Sequence, residues 1–172
     1  LGRYLDTIPN PDPLVAWNTN RETPRPLMAN SVGVPAITSP ATYSFSSPNS
    51  GTEAGYARTA QTRISSHIPV DRPHLAFVNS TTQAALATLD RVATVATYRP
   101  ANTYPNNGFG QALTAVAGAM NKQIRTKVFW VQTGGYDTHA SQRVNETNGA
   151  YSNLMGTLDG GLKAFYDDLN AQ

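Results

Sequence analysis

Apolar residues recur at helical spacing in three long stretches of the chain and gather into unbroken runs elsewhere. Val78, Ala85, Leu86, Leu89, Val92, Ala93 and Ala96 form one stripe and predict a helix from Leu75 to Tyr98, which Pro100 ends. Phe109, Leu113, Val116, Ala117, Met120 and Ile124 predict a second, from Phe109 to Arg125, with Lys122 and Arg125 suiting the negative end of its dipole. Tyr151, Leu154, Met155, Leu158, Leu162, Phe165, Tyr166 and Leu169 predict a third, from Asn148 to Asn170. Gly160 and Gly161 lie inside it, costing about 1 kcal/mol each relative to alanine, which close packing against a neighbour would explain.

The unbroken runs read as strands. Val128-Phe129-Trp130-Val131 lies inside a predicted strand from Lys127 to Gln132, apolar enough to be buried on both faces. Leu14-Val15-Ala16-Trp17, Leu27-Met28-Ala29 and Val32 to Ile37 are shorter candidates, the last at a sheet edge because Pro35 cannot donate. Residues 1–6 read as the last turn of a helix, and the prolines at 9, 11 and 13 exclude helix after it. Thr38 to Thr52, rich in Ser, Thr, Pro and Gly, reads as a long surface loop, and Glu53 to Ser66 as a short helix. Helix, strand, helix in succession is the α/β pattern, and the chain divides into short strands and loops over 1–73 and a helix-helix-strand-helix core over 74–172. The sheet is expected to be mainly parallel. Its other strands can come only from the proline-marked runs of the first forty residues, so it looks incomplete, as in a fragment or an obligate assembly. The chain opens at Leu1 without an initiator Met or a leader, which also suggests a piece of a longer protein.

Composition narrows the function classes. The 172 residues suffice for one domain with a core. Charged residues are only 14% and the net charge is +2, with no Lys/Arg cluster, so a nucleic-acid partner is not expected. Cysteine is absent, excluding disulfides, thiolate chemistry and cysteine-bound zinc. No apolar run reaches the length of about 20 residues that spans a membrane.

Candidate chemistry concentrates after the long apolar strand, in Gly134-Gly135-Tyr136-Asp137-Thr138-His139. Ligands of open α/β sheets sit beyond the carboxyl ends of the strands. Gly134 and Gly135 permit a sharp turn and close approach of a ligand. In extended chain Asp137 and His139 share a side and Thr138 faces away, so a carboxylate and an imidazole could converge on zinc, manganese or iron. The alternative is a single hydrogen bond between them that fixes the loop, since two ligands do not make a site. A Ser-His-Asp triad lacks a Gly-x-Ser-x-Gly elbow, although Ser141, Thr133 and Thr138 lie near. His67, Asp71 and His74 could form a second metal cluster, but Pro69 and Pro73 favour solvated loop histidines. Arg58, Arg63 and Arg72 could bind an anion or make surface ion pairs. Asn79-Ser80-Thr81 and Asn145-Glu146-Thr147 match the glycosylation sequon, a motif common by chance.

The run Val128-Phe129-Trp130-Val131-Gln132-Thr133-Gly134-Gly135-Tyr136-Asp137-Thr138-His139-Ala140-Ser141-Gln142 resembles the hallmark of an uncharacterised, sulfatase-like bacterial family, domain of unknown function 1501, in the alkaline phosphatase superfamily. Phe109-Gly110-Gln111, Leu158-Asp159, Phe165-Tyr166-Asp167-Asp168-Leu169 and Leu1-Gly2-Arg3-Tyr4-Leu5-Asp6 extend the resemblance, which is closest over 108–172, looser over 1–30 and faint between. It implies a partial alkaline-phosphatase-like three-layer sandwich and metal-dependent hydrolysis of phosphate or sulfate esters. It also implies export by the twin-arginine route. Asp137 and His139 would be metal ligands, with polar contacts at Ser141 and Gln142, although the family often has Asn where Ser141 stands. An upstream Arg-Gly-Gly-Asn-Asp-like segment and downstream Gly-Arg and Asp-His-Gly segments have no counterpart here. The remainder of a parent chain or another subunit is then the expected partner. A non-catalytic binding or cell-surface assembly module of the same fold is the rival expectation.

Overall fold

The computed structural model describes residues 1–139, 142 and 149–172. The described elements, in order, are a single helical turn α1 (Gly2–Leu5), β1 (Ala16–Asn18), a 3-10 turn (Arg25–Leu27), α2 (Gly51–Ser65), α3 (Pro73–Val95), α4 (Gly108–Asn121), β2 (Val128–Trp130) and α5 (Ala150–Asn170). Helices and a short parallel sheet make this a mixed α/β arrangement.

The two strands pair in parallel, with Ala16 opposite Val128, Trp17 opposite Phe129 and Asn18 opposite Trp130. The sequence expectation that the first forty residues supply the neighbour of the long apolar strand is therefore met. On the other side of β1, Asn18 N–H donates to Pro35 O at 3.1 Å and Ile37 N–H donates to Asn18 O at 2.8 Å, forming one parallel bridge at Ala36. The expected strand from Val32 to Ile37 is reduced to this contact, since Pro35 can accept but not donate. The expected strand at Leu27–Ala29 is instead the tail of the 3-10 turn, because Pro24 and Pro26 hold the backbone near the φ of such turns. β2 is narrower than its apolar run and only half-buried, not buried on both faces.

Trp17, 1% exposed, anchors the main core with Leu14, Ile37, Val92, Val95, Ala115, Ala119 and Ile124. Its indole N–H donates to Ile37 O at 3.0 Å, and its ring centroid lies 6.1 Å from that of Phe129. The Thr38–Thr52 loop is irregular up to Ser50 but not free of the core: Tyr43 packs on this cluster and shares a 2.8 Å hydrogen bond with Thr88 of α3.

α3 starts two residues earlier than the stripe predicted, with Pro73 in its first turn, where a missing N–H costs nothing. Asn107 caps α4 by accepting from Gly110 N–H at 2.8 Å. α4 ends at Asn121, not Arg125, because Gln123 and Arg125 adopt left-handed φ of 52° and 67°. Arg91 bridges this exit to the approach of β1, donating to both oxygens of Asp12 at 2.8 Å and to Ile124 O at 2.6 Å.

α5 packs on α4, and the expectation of close packing holds at Gly161, where a Cβ would stand 2.6 Å from the Phe109 ring, but not at Gly160, where it would sit at an ordinary 3.6 Å from the Pro105 ring. Gly110 is tighter, since its Cβ would meet the Pro105 carbonyl oxygen at 2.1 Å, and backbone cannot swing aside. Gly110→Ala is therefore expected to destabilise by about 1–3 kcal/mol even though alanine gains about 1 kcal/mol in helix propensity. Urea denaturation checks this, and a stabilised variant would refute the contact.

Candidate functional site

Parallel pairing brings the carboxyl ends of β1 and β2 together. Thr19 closes this end by donating both its N–H (3.0 Å) and its hydroxyl (2.9 Å) to Trp130 O. Asn18, fully buried, donates to Asn20 O at 3.0 Å and Glu22 O at 2.8 Å and accepts from Asn20 N–H at 3.1 Å. Asn20 then reaches across to Gln132 Oε1 at 3.1 Å. The chain leaving β2 is thereby tied to the chain leaving β1 before it enters the glycine turn. The polar triplet Asn18-Thr19-Asn20 was not singled out from sequence as part of this edge. Its only signal was three hydrogen-bonding side chains directly after a buried apolar run.

Beyond Gln132 the chain runs irregularly to His139. Gly135 has φ of 85°, a left-handed turn that glycine accommodates without strain, and a Cβ there would sit 3.7 Å from Leu154 of α5. Gly134 faces open space. Asp137 and His139 emerge on one side, with the carboxylate Oδ1 against the imidazole Nδ1, while Thr138 between them is half-buried. Both side chains are well exposed, 77% for Asp137 and 87% for His139. Gln142 is exposed, and Ser141 lies outside the described residues.

Carboxylate oxygen and imidazole nitrogen side by side form a donor pair that suits zinc or manganese. They also make the contact that a loop-fixing hydrogen bond requires. Among the described residues no three His, Asp or Glu side chains gather as a metal-holding group, at this turn or around His67, Asp71 and His74. Arg58 is spent on a bidentate pair with Asp90 at 3.0 and 3.1 Å, and Arg72 lies 4.0 Å from Asp71, so these two make surface ion pairs. Asn79, the first sequon asparagine, is buried and donates to His67 O at 2.6 Å, so its amide is occupied within the fold.

Two features escaped the sequence reading. The first is a fully buried carboxylate, Asp168 of α5, which accepts from the hydroxyls of Tyr98 and Tyr104 and from Ala101 N–H, each at 2.7 Å. Burial pushes this carboxyl up, but the hydrogen bonds from Tyr104, Tyr98 and Ala101 more than offset it and hold it below its ordinary value of 3.8. Burial and the adjacent carboxylate raise both phenols well above their usual range. Its three partners lie at the end of α3 and in the connection to α4, so Asp168 is a clamp between α5 and that connection. The second is a cavity of about 720 Å³ between the 29–36 segment and α3, lined by Val32, Val34, Ala36, Tyr43, Phe77 and Ala84, with no residue of the glycine turn in its wall.

Among the described residues no helix is long and apolar enough to cross a membrane. No family model, curated protein or solved structure matches the chain.

Proposed function

We propose that the chain contributes part of the site of a metal-dependent hydrolase of phosphate or sulfate esters, in an alkaline-phosphatase-like three-layer sandwich, and that the protein is exported. The observation that carries this reading is the convergence of Asp137 and His139 at the shared carboxyl edge of two parallel strands, where α/β sheets bind ligands. The resemblance of Gly134 to Gln142 to the sulfatase-like family supplies the reaction class. A bound divalent ion would polarise the ester and activate water. Asp137 and His139 would hold it, and the Asn20–Gln132 bond would keep their turn in place. A hydrolytic site takes at least three protein ligands and this turn offers two, so the remaining donors come from other residues or another chain.

The 172 residues alone should therefore leave p-nitrophenyl phosphate and p-nitrophenyl sulfate intact in the presence of zinc or manganese. Turnover that disappears in Asp137→Ala would mean that the site is already complete. A binding module of the same fold is the second reading. The 720 Å³ cavity lies apart from the Asp-His turn and falls within the size range of ligand pockets, about 300–1,000 Å³, which favours recognition without chemistry at the turn.

A further inference from the structure

The cavity between the 29–36 segment and α3 has one wall made of backbone. Val32 and Val34 both pack on the cluster of Leu5, Val15 and Ala16, the two-residue alternation of extended chain. Gly33 between them points the other way, where a Cβ would meet nothing within 4 Å. Further along, the bridge to β1 uses Pro35 O and Ile37 N–H. The N–H and C=O of Ala36 therefore point away from β1, as do those of Val34 by the same alternation. Among the described residues the N–H groups of Val34 and Ala36 and the Ala36 carbonyl meet no partner, and Val34 O receives only a long 3.4 Å bond from the Thr23 hydroxyl. Consecutive residues from Ala29 to Ala36 line the cavity, and no residue of β1 does. One face of extended chain would contribute alternate residues only, so this wall is the free backbone edge.

The facing wall is one side of α3. Phe77, Thr81, Ala84 and Thr88 follow one another along it at four- and three-residue spacing. Thr88 is buried at one end and Phe77 is exposed at the other. The first half of α3 buries only Asn79, so this part of the helix has no layer beneath it. Both walls ask for the same occupant. The edge needs donors and acceptors at strand spacing, and the helix needs side chains along one face. An extended peptide supplies both, whereas an apolar small molecule supplies only the second. α3 walls the far side of the edge, so the opening takes a single strand and not the flank of a folded domain.

We propose that this cavity is a groove for an extended peptide segment of another protein, which adds a strand beside residues 32–36 and sets alternate apolar side chains against Phe77 and Ala84. The proposal rests on the binding-module reading and gives its ligand a chemical class; the metal reading plays no part in it.

Fluorescence anisotropy of a labelled, end-blocked peptide of alternating valine and threonine tests it on the 172-residue chain. Saturable binding is expected. N-methylating the valine amides blocks one edge of the peptide, and N-methylating the threonine amides blocks the other. One of these two peptides should bind roughly tenfold more weakly than the unmodified one, and the other about as well. Ala36→Pro removes a donor from the groove edge and should weaken binding by a similar factor, while Ala36→Ser should not. Ala85→Gln, at an exposed position of α3 in the cavity wall, should abolish binding with circular dichroism unchanged. Equal binding of the two methylated peptides, or no peptide binding by a folded chain, overturns the proposal. The dye anilinonaphthalene sulfonate separates that failure from failure of the reading beneath it. Dye bound by the wild type and lost in Ala85→Gln would keep the cavity as a site for another ligand class, and no dye binding would remove both. A dimer in peptide-free buffer that Ala36→Pro dissolves also overturns the proposal, because a second copy would then hold the edge.

Discussion

Replacing Asp168 with alanine is expected to cost about 3–5 kcal/mol of folding stability. The substitution removes no surface interaction; it strands two phenolic hydroxyls and the Ala101 N–H that now share one buried carboxylate. Each donor left without an acceptor costs about 1–3 kcal/mol, and the lost volume adds to that. Asp168→Asn should cost less, because the amide oxygen still accepts while its NH2 cannot. The same clamp gives the fold an acid limit. The Asp168 carboxyl is held below its ordinary value of 3.8 in the folded state, as is that of Asp12 beside Arg91 despite partial burial. A depressed folded-state value means that the stabilisation is fully present above the ordinary carboxylate range. It is lost as pH falls through the folded-state values. Urea midpoints followed by far-ultraviolet circular dichroism should be level from neutral pH down to about pH 5 and drop below about pH 4, and in Asp168→Asn the drop should be shallower. An Asp168→Ala variant as stable as wild type would show that the clamp is not formed in solution.

Trp17→Ala is the second large effect, again about 3–5 kcal/mol, the usual range for emptying a buried aromatic site. Trp17 fills the core beneath both strands, contacts the Phe129 ring and donates to Ile37 O, so its loss loosens the sheet and the 35–37 bridge together. Trp17→Phe keeps most of the packing and forfeits the hydrogen bond, for about 1–2 kcal/mol. If the two variants unfold at the same urea concentration, the ring's packing is not what holds the sheet. Because β1 fixes the position of β2 and hence of the glycine turn, Trp17→Ala should also weaken any ligand binding at Asp137 and His139, whereas Trp17→Phe should not.

The features that could be read from sequence are those set by local periodicity. The stripes over 75–98, 109–125 and 148–170 located α3, α4 and α5 to within a few residues, and elimination confined the parallel partner of the long apolar strand to the first forty residues without choosing among the runs there. The misplaced boundary at the end of α4 has a physical reason: the stripe continues through Ile124, which is buried, but the backbone has already turned left-handed at Gln123. Hydrophobicity reports which side chains are inside, not what φ the chain adopts. The strand candidates at 27–29 and 32–37 failed because proline dictated their backbone more strongly than their apolar side chains did. Asp168 was invisible for another reason. Its partners lie about seventy residues away, and Asp-Asp near a helix end reads as solvated surface. At the candidate site, the shared side of Asp137 and His139 follows from two-residue alternation in extended chain. The support from Asn18, Thr19 and Asn20 arises only when β1 and β2 pair, which local sequence does not encode.

Titration of the 172-residue chain with zinc and with manganese in a calorimeter, repeated on His139→Ala and Asp137→Ala, tests the proposed role of this turn most directly. Both side chains are exposed, so neither substitution should shift the urea midpoint. Weak one-site binding by the wild type that is lost in each variant is the predicted result. Identical binding in His139→Ala, or no binding by a fully folded wild type, would contradict it and leave the Asp137–His139 contact as a loop-fixing hydrogen bond.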